Sequence, residues 1–247
     1  MLHPGFKSVR KSPNPIRTVA WCIAVLLCFC APLLSSNTPA KPFQKWTREE
    51  AISILTRSAW AKQETFTRIV GGIGSGISGQ KEIYSTFFVR FLSARPIREA
   101  YARLRQIQAR YDQLDKDAKR DIDASLAPGL NLDVSRWIVV TLGFRSNDPS
   151  VELRIKQFLE VQTTETMKTR AYLSSPRFPQ LKLAAYFPPK EEEVGAKFVF
   201  PRAFEGAPIV GPEDSLVTFE LDVPGFDPDL RVNFPVPELL VKGVPVL

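Results

Sequence analysis

Ile83-Tyr84-Ser85-Thr86-Phe87-Phe88-Val89-Arg90-Phe91 is followed, from Pro96 onward, by a run whose apolar residues fall at helical spacing. The first stretch is β-branched and aromatic, which suits a pleated, half-buried strand. In the second, Ile97, Ala100, Leu104, Ile107, Tyr111, Leu114 and Ala118 recur three and four residues apart, with Tyr101 and Ile122 on the same side. That spacing predicts one long amphipathic helix of about 25 residues, with Pro96 near its first position. It is expected to end before Pro128-Gly129. A strand and a long helix in succession decide for a mixed fold.

Toward the N-terminus, Thr47-Arg48-Glu49-Glu50 precedes Ala51, Ile52, Ile54 and Leu55. Thr as N-cap with Glu three residues later is a capping box, so a helix is expected over about 48–58. Trp60 follows it as an anchor for the core. Between Val70 and Ile83 lies the tract Gly71-Gly72-Ile73-Gly74-Ser75-Gly76-Ile77-Ser78-Gly79. Gly74, Gly76 and Gly79 satisfy GxGxxG, but a strand follows where a dinucleotide site needs a helix. The tract reads as a mobile loop between strands, with a ligand or partner loop as the functional alternative.

Toward the C-terminus, Arg136 to Phe144 reads as a second strand. Asp148 and Pro149 then open a helix that runs to about Val161. From Thr166 the texture changes. Short runs at 166–173, 181–187, 196–200, 215–221, 230–234 and 238–242 are cut by Pro and Gly, as in an antiparallel sheet or sandwich. Phe198, Phe200, Phe204 and Phe219 fall at strand positions and read as core. The fold class is therefore α+β. A helical or mixed part spans 41–163 with its one long amphipathic helix, and a mainly antiparallel, sandwich-like β part spans 164–247. The two parts form separate domains or share one core.

Residues 1–40 differ in kind. Lys7, Arg10, Lys11 and Arg17 precede an uncharged apolar run from Thr18 to Leu34, and small residues follow at Ser35, Ser36 and Ala40. This is the pattern of a secretory signal. The expectation is export to the periplasm or the exterior. The alternative is an uncleaved anchor in the inner membrane, the sole membrane contact in either case. Four of the 33 basic residues and none of the 26 acidic ones lie in this segment, which leaves 29 against 26 and a net charge of +3. So mild an excess does not imply a nucleic-acid partner.

The missing residue types constrain chemistry further. His3, Cys22, Cys28 and Cys30 are all in residues 1–40, so Lys41 to Leu247 contain neither His nor Cys. Ser-His-Asp and Cys-His catalysis, the usual zinc ligands and iron–sulfur clusters are excluded there. Arg68-Ile69-Val70-Gly71-Gly72 resembles the activation site of trypsin-like serine proteases, but the His and the Gly-Asp-Ser-Gly-Gly segment that family requires are absent. Asp222, Asp227 and Asp229 gather around a Pro-Gly turn and are candidate oxygen ligands for calcium, although ordinary turn chemistry explains them equally. Arg98 and Arg105 lie on the polar side of the long helix and are candidates for a partner-binding face. No catalytic residue and no cofactor is expected.

By subtraction, the chain reads as a non-catalytic binding module for another protein or an envelope polymer. A carboxylate-based hydrolase of extracellular polysaccharide is one alternative, and it requires two acids in one pocket. A periplasmic small-ligand carrier is the other, and it requires an apolar cavity of a few hundred Å³.

Overall fold

The computed structural model describes residues 41–71, 80–190 and 194–247. They form six α-helices and antiparallel sheets. The first helix, α1 (Arg48–Arg57), starts as its sequence dictates. The Thr47 hydroxyl accepts from the Glu50 amide, and the Glu50 carboxylate accepts from the Thr47 amide. Trp60 is buried, and its indole N–H donates to the Val246 carbonyl at 2.7 Å.

Strands β1 (Ala61–Gly71), β2 (Gln80–Phe91) and β3 (Trp137–Ser146) form an antiparallel meander. Helices α2 (Arg95–Gln108) and α3 (Lys116–Leu130) connect β2 to β3. The single long helix read from the sequence is thus two helices. Arg110 adopts φ 53° in the left-handed region, a short 3-10 turn covers Tyr111–Gln113, and Asp115 caps the second helix by accepting from the Ala118 amide. Helix α3 runs through Pro128 rather than stopping before it. Pro128 lies in the last turn, where its missing N–H leaves the Ala124 carbonyl without its helical donor but only two residues of helix follow.

Helix α4 (Pro149–Val161) begins at the expected residue. Asp148 accepts from the amides of Ser150 and Val151, and its carboxylate pairs with Lys81 at 3.0 Å. The Ser150 hydroxyl is the largest cause holding the Asp148 carboxyl well below the usual aspartate range, followed by Lys81. A depressed folded-state pKa contributes stability that is present above the unfolded value and lost as pH falls through the folded one. Asp148→Ala is therefore expected to lower the melting temperature at pH 7, and the deficit should shrink as pH falls below the ordinary aspartate value. Melting curves across that range check it; a deficit that does not change with pH overturns it.

After the short helix α5 (Thr164–Met167) come β4 (Ala171–Ser174), β5 (Leu181–Lys182), β6 (Ala185–Phe187), β7 (Ala196–Pro201), the small hairpin β8 (Ala203–Phe204) and β9 (Ala207–Pro208), then β10 (Leu216–Leu221) and β11 (Leu230–Pro235). Helix α6 (Val236–Leu239) and the hairpin β12 (Leu240–Val241) and β13 (Val244–Pro245) end the described residues. One sheet has the order β1-β2-β3-β7-β6, the other β11-β10-β4-β5. Because β7 pairs with β3, residues on both sides of position 164 share the larger sheet.

The stretch 181–187, which reads as one alternating strand, is divided between the sheets. β5 pairs with β4 in the smaller sheet and β6 with β7 in the larger. Burial tracks the switch. Leu181 and Leu183 are buried, and then the phase flips so that Tyr186 is buried and Phe187 exposed.

The facing sides of the two sheets meet through aromatic rings. Phe198 and Phe200 lie 5.2 and 6.4 Å from Phe219, and Phe91 lies 4.6 Å from Phe234. Phe198, Phe200 and Phe219 are fully buried, as their strand positions suggest. Phe204 is not: it sits half exposed on the β8–β9 hairpin, edge-on to Phe178. Among the described residues no helix is long and apolar enough to cross a membrane.

Candidate functional site

Strand residues alternate between the two sides of a sheet. On the larger sheet, Phe87, Val140, Leu142, Phe198 and Phe200 point to the smaller sheet, which leaves Trp137, Val139, Lys197, Val199, Ala185 and Phe187 on the other face. The register sets these last residues in rows. Val139 lies opposite Val199, and Val199 opposite Ala185; Thr141 lies opposite Lys197, and Lys197 opposite Phe187.

Above this floor, α2 presents Arg98, Tyr101, Ala102 and Arg105, which are three, four and seven residues on from the first and so form one stripe of a helix. Helix α3 presents Ser125, Leu126, Gly129 and Leu130. Between helices and sheet lies an apolar cleft of about 990 Å³. A helix normally buries its apolar stripe, yet α3 has no buried residue although it carries Ile122, Leu126 and Leu130.

Arg98 fixes the end of the cleft. Its guanidinium donates to the carbonyls of Leu130 and Leu132 at 2.9 and 3.0 Å, so α2 holds the C-terminal end of α3. Its Nε is buried with no partner among the described residues. Burial, with repulsion from Arg95, pulls Arg98 below its ordinary value. Arg105 is exposed on the same stripe. Arg103, on the polar side of the expected helix, is instead buried, donates to the Trp46 carbonyl and pairs with Asp112.

Tyr101 and Val194 also line a neighbouring cleft of about 500 Å³, with Phe88, Arg90, Arg145, Glu152 and Lys156. Burial pushes the Tyr101 phenol above its ordinary value, and the adjacent Arg90 opposes the shift. Among the described residues each cleft has one acidic side chain, Asp133 in the larger and Glu152 in the smaller. Both are held below the usual carboxylate range, Asp133 first by the Ser135 amide and Glu152 first by the Ser146 amide.

The other candidates from the sequence fall elsewhere. Asp222, Asp227 and Asp229 sit around the β10–β11 turn, where the Asp222 carboxylate accepts from Arg170 at 2.5 Å. No group of three or more His, Cys, Asp or Glu gathers to hold a metal ion among the described residues. Gly74, Gly76 and Gly79 lie outside the described residues. Arg98 and Arg105, read as a partner-binding face, are the two candidates that line the larger cleft.

Sequence reasoning missed Trp137, Val139 and Val199. The signal was the unbroken apolar run from Trp137 to Val140, since a strand with one wet face alternates. The chain matches no family model, no curated protein and no solved structure, so the reading of the cleft rests on its geometry.

Proposed function

We propose that this chain is a non-catalytic binding protein that carries a small apolar or amphiphilic molecule in the cleft between the larger sheet and helices α2 and α3. We place its work outside the membrane to which residues 1–40 address it. One observation carries the reading: a cleft of about 990 Å³, floored by Val139, Val199 and Ala185, lies beneath a helix that buries none of its own residues. Ligand sites are typically concave and mostly apolar, with a volume of about 300–1,000 Å³ and a few polar groups at fixed positions. Here Arg98, Arg105, Lys197 and Asp133 are the charged groups. A polysaccharide hydrolase has less support. It requires two carboxyls in one pocket, one of them kept protonated, whereas Asp133 and Glu152 line different clefts and both favour the ionised form.

Val199→Trp tests the reading, because its side chain would project from the sheet into the cleft. Binding of a fluorescent long-chain carboxylate, and of a neutral analogue of the same chain length, is measured on both proteins. The wild type is expected to bind at least one of them saturably. The variant is expected to lose at least about tenfold in affinity while its melting temperature is kept. No saturable binding of either probe to the wild type, or equal affinities in the two proteins, overturns the proposal.

A further inference from the structure

The larger sheet ends in a long strand whose outer edge is open. β1 pairs on one side with β2, and nothing pairs with its other side among the described residues. Gln63, Glu64, Thr65, Thr67, Arg68, Ile69 and Val70 are all exposed. Long exposed edges invite another strand, and soluble proteins usually blunt them.

The hydrogen-bond phase of this edge can be read directly. The Phe91 amide donates to the Trp60 carbonyl at 3.0 Å, and the β1–β2 register continues from that pair. In an antiparallel ladder hydrogen-bonded pairs alternate, so the even-numbered residues of β1 bond to β2. The amides and carbonyls of Gln63, Thr65, Thr67 and Ile69 therefore point outward. The side chains of Glu64, Phe66 and Arg68 share the opposite phase, on the face where Phe66 packs against Phe87 and Phe226.

We propose that a second copy of this chain adds its own β1 to this edge, antiparallel and centred on Phe66, to make one continuous sheet across a twofold axis. Charge complementarity between Glu64 and Arg68 selects this register. With Phe66 opposite Phe66, Thr65 of one copy meets Thr67 of the other in a hydrogen-bonded pair, and Gln63 meets Ile69 in the same way. Glu64 of each copy then faces Arg68 of the other in a non-hydrogen-bonded pair, where side chains approach most closely. A shift of the centre by two residues sets Glu64 against Glu64, or Arg68 against Arg68, and like charges directly opposite are unfavourable. Pairing also covers the exposed Ile69 and Val70. Such an interface is self-complementary and closed, as a twofold dimer requires.

The test is sedimentation of the full chain in a mild detergent, as wild type, Glu64→Lys, Arg68→Glu and the double exchange E64K/R68E. The wild type and the double exchange are expected to dimerise. Each single variant sets like charges opposite and is expected to weaken the dimer at least about tenfold. Amide exchange at Gln63, Thr65, Thr67 and Ile69 should be slower in the wild type than in Arg68→Glu. A wild type that stays monomeric at its highest soluble concentration overturns the proposal. So does equal assembly of all four chains, which would place the association elsewhere.

Discussion

Phe219→Ala is expected to lower the unfolding free energy by about 3–5 kcal/mol, read from denaturant midpoints. Phe219 has no exposed surface, and its ring meets Phe198 and Phe200 across the gap between the sheets. Removing it takes away the transfer energy of the ring and leaves a cavity that strands fixed by their own ladders cannot close. The loss is a large fraction of the roughly 5–15 kcal/mol that holds a typical domain together. Phe219→Leu keeps most of the volume and is expected to cost distinctly less. If the alanine variant lost no more than the leucine variant, the contact between the sheets would not be the one that stabilises the fold.

Gly195→Ala is the second large effect, and it acts through the backbone. Gly195 has φ +99°, and a Cβ placed there would lie 2.2 Å from the Leu142 carbonyl oxygen and 2.8 Å from its carbon. Neither atom belongs to a flexible side chain, so β3 and the start of β7 would have to move apart. Backbone strain and overpacking together are expected to cost about 2–5 kcal/mol. Gly129→Ala is the internal control. It sits near the end of α3 with nothing within 4 Å of an added Cβ, and is expected to be neutral or stabilising by up to about 1 kcal/mol. Similar melting temperatures for the two variants would contradict the assigned conformation of residue 195.

Helix starts were legible because they rest on local chemistry. Thr47 with Glu50, and Asp148 with Pro149, specify their caps whatever the tertiary context. The break at Arg110 was not legible from periodicity. Leu114, Ala118 and Ile122 resume at the same spacing after the turn, so counting threes and fours sees one helix where there are two. The acidic cap that restarts the helix, Asp115, stands in the sequence among several other acids between Asp112 and Asp123 and is not set apart by its type. The division of Leu181 to Phe187 between two sheets was hidden for a related reason. Alternation reports which side is buried, not which neighbour supplies the hydrogen bonds.

The cleft itself was the least visible feature. Val139 and Val199 are the residue types that fill a core, and composition cannot tell a filled interior from a gap lined the same way. Only the positions of α2 and α3 above the sheet distinguish them. Arg98 was singled out for its place on a polar helix face. Its structural role, holding the end of α3 through two carbonyls, depends on the turn at Arg110 that brings the second helix back alongside the first.

The strand order β1-β2-β3-β7-β6 has a consequence for a chain that emerges from its N-terminus. The first three strands are neighbours in sequence and can zip up as soon as Ser146 is out. At that stage β3 is an unprotected border, with Ile138, Val140 and Leu142 on one side and Trp137 and Val139 on the other, and its proper neighbour arrives only with Ala196–Pro201. Everything between, including the helix at Pro149 and the strands of the smaller sheet up to β5, must be delivered while that border is open. The vulnerable species in biogenesis is thus a half-delivered chain, and a pause in delivery between Ser146 and Ala196 leaves this apolar border open to other chains.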